Sequence, residues 1–221
     1  MTANKPTVTI DVVSDVVCPW CYLGKHRLEK AVAAVPEIDV AIRWRPFQLD
    51  PSVPPEGMDR AEYIRAKFGS VDALKDGHKR LTEYGHEVGI DYRFDAITRS
   101  ANTIDAHRFV RWAAEAGKET QAVERLFHAY FSDGRDIGDH TVLADVAGEI
   151  GLDAAVIAER LKGDEDRDAV MAEIQEAYQL GVTGVPTFIL DRRYGVVGAQ
   201  SVETLVAAIR QTAAKQNEPV A

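Results

Sequence analysis

The sequence predicts an α/β protein: one mixed sheet with flanking helices, split by a large all-helical insertion. Three observations predict it. Residues 7–46 change hydrophobic period from two to 3.6 and back to two. A long middle block keeps helical spacing. The end of the chain reads helix, hairpin, helix. Residues 1–57 and 164–221 are therefore assigned to one sheet-bearing domain, and 58–163 to an inserted helical domain.

Each element has a local cause. Val8, Ile10 and Val12 alternate, as in a strand. Leu28, Ala31, Val32 and Val35 fall on one helical face, which Pro36 ends. Val40, Ile42 and Trp44 alternate again, up to Pro46-Phe47. Strand, helix, strand suits a right-handed parallel crossover. Asp50 to Gly57, rich in proline and glycine, reads as a linker. From 58 to 163 the stripes are helical: Ala106, Phe109, Val110, Ala113; then Val123, Leu126, Phe127, Tyr130; then Leu143, Val146, Ala147, Ile150. Asp164-Glu165-Asp166 reads as the charged first turn of the next helix. That helix carries Val170, Met171, Ile174, Ala177 and Tyr178 on one face and Gly181 at its C-terminal cap. Asp191-Arg192-Arg193 turns a hairpin between Phe188-Ile-Leu190 and Tyr194 to Val197. Ser201 caps a last helix that buries Val202, Leu205, Val206 and Ile209, and the tail from Lys215 is polar and expected to fray.

The chain has 221 residues, enough to bury a core without disulfide staples. Its net charge of −9 repels phosphate backbones, which argues against nucleic acid as a partner. No apolar run is long enough to span a bilayer, so no membrane partner is expected. The first residues lack an apolar core, so no signal peptide is expected and the chain reads as cytoplasmic.

The two cysteines, Cys18 and Cys21, form a single Cys-Pro-Trp-Cys unit. A structural zinc site takes four ligands, usually from two such pairs, so no metal is expected. Redox chemistry is the economical reading. The unit lies at a strand-to-helix junction. With Cys18 as N-cap, Pro19 takes the first helical position, where its missing N–H costs nothing. The Cys18 sulfur would then accept from the first free amides, and the helix dipole would favour its anion. An ordinary thiol of pKa ~8.5 falls to ~3.5–7.5 in such settings. Cys18 is thus expected to be the exposed, acidic nucleophile. Cys21, inside the first turn, is expected to be less exposed and less acidic, and to resolve the mixed disulfide. Val185-Pro186 precedes the hairpin; taken alone, its bond defaults to trans.

At these residues the chain resembles a known family. A strand, Cys-Pro-X-Cys opening a helix, and a distant Gly-Val-Pro-Thr before a hairpin are similar to the thioredoxin fold. The long helical insertion resembles the DsbA branch. Ser14 to Gly24, Asn102-Thr103 with Ala106-His107-Arg108, and Gly181 to Phe188 with Gly198-Ala199-Gln200 resemble its FrnE-like subfamily. The resemblance implies a thiol–disulfide oxidoreductase or isomerase, with Cys18 as nucleophile, Cys21 as resolving thiol and Pro186 as a cis-proline facing them. It implies a substrate groove touched by Trp20, Pro19 and Val185. No cofactor is implied beyond the Cys18–Cys21 redox pair, with glutathione as a candidate co-substrate. Partners would be protein or peptide thiols and disulfides, and the chain a monomer or homodimer. DsbA often carries His where this chain has Trp20, so a strongly oxidising poise does not carry over.

Supporting residues have duller alternatives. Asp15 either relays a proton for Cys21 or caps its loop. Lys25 and His26 either favour the thiolate or form a solvated helix face. Trp44, Pro46 and Phe47 either line the groove or pack the core. Asn102, His107 and Arg108 read as a cap with inter-domain hydrogen bonds. The runner-up function is a glutathione-dependent isomerase or transferase of a small aromatic molecule, whose relatives typically have serine at the motif. A third is a non-catalytic binding module.

Overall fold

The computed structural model describes residues 5–216. The tail beyond Gln216 and the first four residues, on which the signal-peptide reading partly rests, lie outside the described residues. Strand β1 (Thr7–Ser14) leads through helix α1 (Pro19–Ala33) to β2 (Asp39–Pro46). A tiny ladder follows, β3 (Met58–Asp59) with β4 (Arg99–Ser100), enclosing α2 (Arg60–Phe68) and α3 (Lys75–Val88). Then come α4 (Ile104–Glu115), α5 (Glu119–Phe131), α6 (His140–Glu149), α7 (Ala154–Leu161) and α8 (Arg167–Gln179). The chain closes with β5 (Thr187–Leu190), β6 (Tyr194–Val197) and α9 (Val202–Lys215).

The main sheet has order β2-β1-β5-β6. β1 and β2 are parallel over their full length, Thr7 opposite Asp39 to Ser14 opposite Pro46. β5 runs antiparallel to β1, placing Val13 opposite Thr187, and β6 closes the hairpin. Alternation along β1 sends Val8, Ile10 and Val12 into one cluster with Leu23, Leu28, Leu205 and Ile209 of α1 and α9. Val13 turns the other way, onto Phe47, Ala177 and Val182. Each fully buried aliphatic side chain contributes about 1.5–3 kcal/mol. The first cluster continues without a break into Phe109, Leu126, Phe127 and Leu143, so the middle helices share the sheet's core.

Several local expectations change. Residues 58–100 are not wholly helical, because the β3–β4 ladder clips the ends of that stretch together. Asp164 to Asp166 precede α8 rather than open it: Asp166 is the N-cap, held at φ 60°, and its carboxylate takes Trp112 Nε1 and Arg111 instead of capping amides. Met171 and Tyr178 are exposed, since only Val170, Ile174 and Ala177 of α8 are buried. Val202, Val206 and Ile150 are half-buried. Gly181 (φ 82°) and Ser201, which accepts from Thr204 N, cap as expected.

Candidate active site

Cys18 is the N-cap of α1, in extended backbone, with Pro19 at the helix start. The Cys18 carbonyl accepts from the amides of Cys21 (3.0 Å) and Tyr22 (3.3 Å), which closes the first turn. Both cysteines are free thiols. Two expectations about Cys18 are corrected. It is not exposed: 4% of its surface is accessible. Nor does its sulfur cap the helix amides; it reaches 3.6 Å to the carbonyl of Val185. A protonated thiol can donate, and that carbonyl offers a lone pair where the helix offers only more donors. The Val185-Pro186 bond is cis, and the Val185 carbonyl faces Cys18 across the site. Cys18, Cys21, Val185 and Pro186 are thereby brought together.

Cys21 lies deeper, 1% exposed. Burial pushes its thiol well above the ordinary value, and the Cys18 sulfur adds to this. The Ser14 hydroxyl and the Asp15 backbone work weakly the other way. Cys21 is therefore a protonated, buried thiol at neutral pH, as its position inside the first turn predicts.

Trp20 and Pro19 are half-buried at the mouth. The Trp20 ring stands 6.5 Å from Tyr84 of α3, and Arg27 lies over Tyr84. Tyr92, between α3 and β4, donates to the Pro19 carbonyl at 2.6 Å. Tyr22 stacks on Phe127 at 5.1 Å. The cysteine helix is thus held by aromatic residues from the middle of the chain, a contribution that the sequence patterns did not reveal.

Asp15 is buried and serves its loop. One carboxylate oxygen accepts Leu49 N at 2.8 Å; the other lies 3.5 Å from Val17 N and from His107 Nε2. His107 Nε2 is also 2.9 Å from the Phe47 carbonyl. Phe47 and Trp44 are core residues, with Trp44 Nε1 donating to Thr120. Asn102 ties Val53 O to Ile104 N. Arg108, fully buried, gathers the carbonyls of Arg160, Gly163 and Glu165.

Lys25 needs a further correction. It is neither a solvated residue nor a partner of the thiols. It is 2% exposed, and its ammonium pairs with Glu124 at 2.5 Å and Glu29 at 2.6 Å. His26 joins the same cluster through Glu124. His26, Glu29 and Glu124 lie close enough together to hold a cation, but the Lys25 ammonium already bonds both carboxylates. The cluster is an ion-pair network.

A mixed four-stranded sheet, a paired-cysteine helix start and a facing cis-proline define a thioredoxin-fold protein of the thiol–disulfide class. Residues 9–210 match the DSBA-like thioredoxin domain, and the chain belongs to that family. Among solved structures, a probable DsbA oxidoreductase from Streptomyces coelicolor is 34% identical, with TM-score 0.86 over 97% of this chain and 93% of that one. The cytosolic disulfide reductase DsbM from Pseudomonas aeruginosa, solved with GSH, shares the fold: 23% identity, TM-score 0.61, covering 94% of this chain and 96% of that one. Among curated relatives, the uncharacterized protein YwbO of Bacillus subtilis is 30% identical, over 83% of this chain and 87% of that protein. A 2-hydroxychromene-2-carboxylate isomerase from Sphingobium xenophagum is 23% identical, over 84% and 90%. Among the described residues no helix is long and apolar enough to cross a membrane.

Proposed function

We propose that this chain is a thiol–disulfide oxidoreductase acting on protein or peptide thiols through Cys18 and Cys21. One observation carries the reading: two free cysteines share the first turn of α1, the outer one against the Val185 carbonyl and the inner one buried. Cys18 is the nucleophile because it is the outer sulfur. It stands at the N-cap of α1, at the positive end of the helix dipole. It attacks a substrate disulfide, one substrate sulfur leaves, and a mixed disulfide forms. Cys21 then attacks Cys18, forms the internal disulfide and releases the second substrate thiol. Oxidation of a substrate dithiol runs the same steps backwards. Trp20, Pro19 and Val185 border the sulfur and contact the substrate.

Glutathione is the small-molecule thiol we assign as co-substrate, supported by the DsbM structure with GSH. The description of that protein as cytosolic likewise supports a cytoplasmic setting here. Insulin reduction and reactivation of scrambled ribonuclease test the reading. Cys18→Ser is expected to abolish both. Cys21→Ser is expected to retain a glutathionyl group on Cys18 after exposure to oxidised glutathione, seen by mass spectrometry. A wild-type rate equal to that of Cys18→Ser in both assays would refute the proposal.

The chromene carboxylate isomerase relative favours a second reading, glutathione-dependent isomerisation of a small aromatic acid. It predicts that Cys21→Ala keeps full activity on such a substrate. The Cys18–Cys21 pair favours the first reading.

A further inference from the structure

We infer that Arg27 and Tyr84, at the far end of a surface that begins at Trp20, select peptide substrates with an acidic residue near the reactive cysteine. The inference rests on the redox reading above and names its class of substrate.

Trp20, Gly24 and Arg27 fall at i, i+4 and i+7 of α1, on one face of the helix. Trp20 stands between the two cysteines in sequence. Gly24, in the middle, leaves room for Pro186: a Cβ there would meet Pro186 Cγ at 2.9 Å. Gly198 N donates to the Pro186 carbonyl at 2.8 Å, and Arg27 Nη1 donates to the next carbonyl, Ala199 O, at 2.7 Å. On the other flank stands Tyr84 of α3. Its ring centre is 6.5 Å from that of Trp20 and 5.0 Å from the Arg27 guanidinium carbon. One surface therefore runs from the cysteine motif to Arg27, between Tyr84 and the Pro186–Ala199 side. Trp20 and Arg27 are half-buried, and Tyr84 is 37% exposed.

The end of this surface is cationic. Arg45, Arg111, Arg125, Arg135 and Arg160 each hold at least two carboxylates. Lys25, two residues before Arg27, is closed by Glu29 and Glu124. Arg27 forms no ion pair with any described residue, and Ala199 O takes only one of its five N–H donors. Glu203, in the first turn of α9, feels its charge without pairing with it. The Tyr84 ring and the Ala199 carbonyl fix the plane of the guanidinium. A planar, oriented guanidinium with free donors matches a carboxylate.

Reach sets the spacing. Arg27 lies about 10 Å along the helix axis from Trp20, and its side chain leans back toward the N-terminus. An extended peptide advances about 3.3 Å per residue. The acidic residue thus belongs about two to four residues from the substrate cysteine. The net charge of −9 repels acidic peptides at long range, so a preference for them must come from a local cation.

The test uses capped peptides with one cysteine, held in a mixed disulfide with a coloured aromatic thiol. Attack by Cys18 of the reduced protein forms the Cys18–peptide disulfide and releases the coloured thiolate. The peptides carry Glu, Gln or Lys at two, three or four residues to either side of the cysteine. Wild type is expected to favour Glu over Gln roughly 3–10-fold at one position, to disfavour Lys there, and to lose the preference as salt rises. Arg27→Gln should bring that Glu-to-Gln ratio to one or below, Arg27→Lys should keep it above one, and Tyr84→Leu should lower it. The ratio is the readout, because a merely structural role would slow all peptides alike. A wild-type ratio of one everywhere, or a ratio unchanged in Arg27→Gln, would overturn the assignment. If Arg27→Gln does not fold, position decides: equal ratios at every position would overturn it. An unchanged ratio in Tyr84→Leu would remove Tyr84 from it. The same mixed disulfide of glutathione runs beside the peptides, and an Arg27 dependence confined to glutathione would overturn the peptide assignment. Wild type that releases thiolate from every peptide no faster than Cys18→Ser would instead bring down the redox reading itself.

Discussion

Replacing Glu124 by Gln tests how the cysteine helix is anchored. Glu124 of α5 receives Lys25 of α1 at 2.5 Å, and the Lys25 side chain is 2% exposed. His26 Nε2 lies 3.3 Å from the same carboxylate and Tyr22 donates to it at 3.3 Å. Burial alone would raise the Glu124 pKa, but the His26 hydrogen bond and the Lys25 charge outweigh burial and hold it at about 2, against an ordinary 4.5. That gap is worth about 3 kcal/mol taken at full value, and about half of this for a side chain one-third exposed to screening water. Removing the charge also leaves buried Lys25 with Glu29 alone. A buried pair broken outright costs ~3–5 kcal/mol, and the remaining partner reduces it. The expected loss is about 2–3 kcal/mol at neutral pH. A depressed carboxylate stabilises fully above its unfolded value and loses that contribution as pH falls through its folded value. The deficit of Glu124→Gln should therefore be widest at neutral pH and narrow from about pH 4.5 downward toward 2. Urea unfolding at several pH values, with unchanged slope, measures it. A variant with the wild-type midpoint at neutral pH, or a deficit that does not shrink in acid, would refute this account of α1.

Two further substitutions address the frame of the site. A Cβ on Gly24 would lie 2.9 Å from Pro186 Cγ and 3.2 Å from Phe188 Cζ. Gly→Ala normally gains about 1 kcal/mol inside a helix; here overpacking should reverse the sign to a net loss of about 1–2 kcal/mol and slow insulin reduction by shifting Pro186, so a stabilised, fully active Gly24→Ala would contradict the packing. Arg108→Met should leave the carbonyls of Arg160, Gly163 and Glu165 without their donor and cost about 2–4 kcal/mol, read as a lowered Tm; an unchanged Tm would show that the guanidinium is not what holds the loop before α8.

The sheet, its helices and the position of the cysteine pair at a helix start could be read from the sequence because their signals are local. Val8, Ile10 and Val12 show a period of two within a few residues, and Cys18 and Cys21 are their own motif. What stayed hidden depends on partners far along the chain. Nothing within α1 marks Lys25 as buried, because the carboxylate that buries it arrives from position 124. Residues 58–59 and 99–100 are too short to show a period, so the β3–β4 ladder could not be seen. The orientation of the Cys18 sulfur depends on a carbonyl at position 185, on another strand's approach. The Tyr178 ring tilts against Phe47 at 4.8 Å yet stays 41% exposed, which helical spacing alone cannot separate from burial.

The hidden contacts converge on one place. Tyr92 reaches the Pro19 carbonyl, Tyr22 stacks on Phe127, and Lys25 pairs with Glu124. All three ties fall on the first two turns of α1, and their partners come from residues 92–127. The sheet fixes where the helix begins, through β1 and the Asp15 loop. The middle helices fix how its first turn is held, and so how Cys18 and Cys21 meet each other. A redox pair needs two sulfurs near bonding distance in both oxidation states, with only small movement between them. Clamping the helix start from outside the sheet supplies that restraint. It also leaves Val185 and Pro186 as the opposite wall of the site, facing Cys18, where the proposed function puts the substrate.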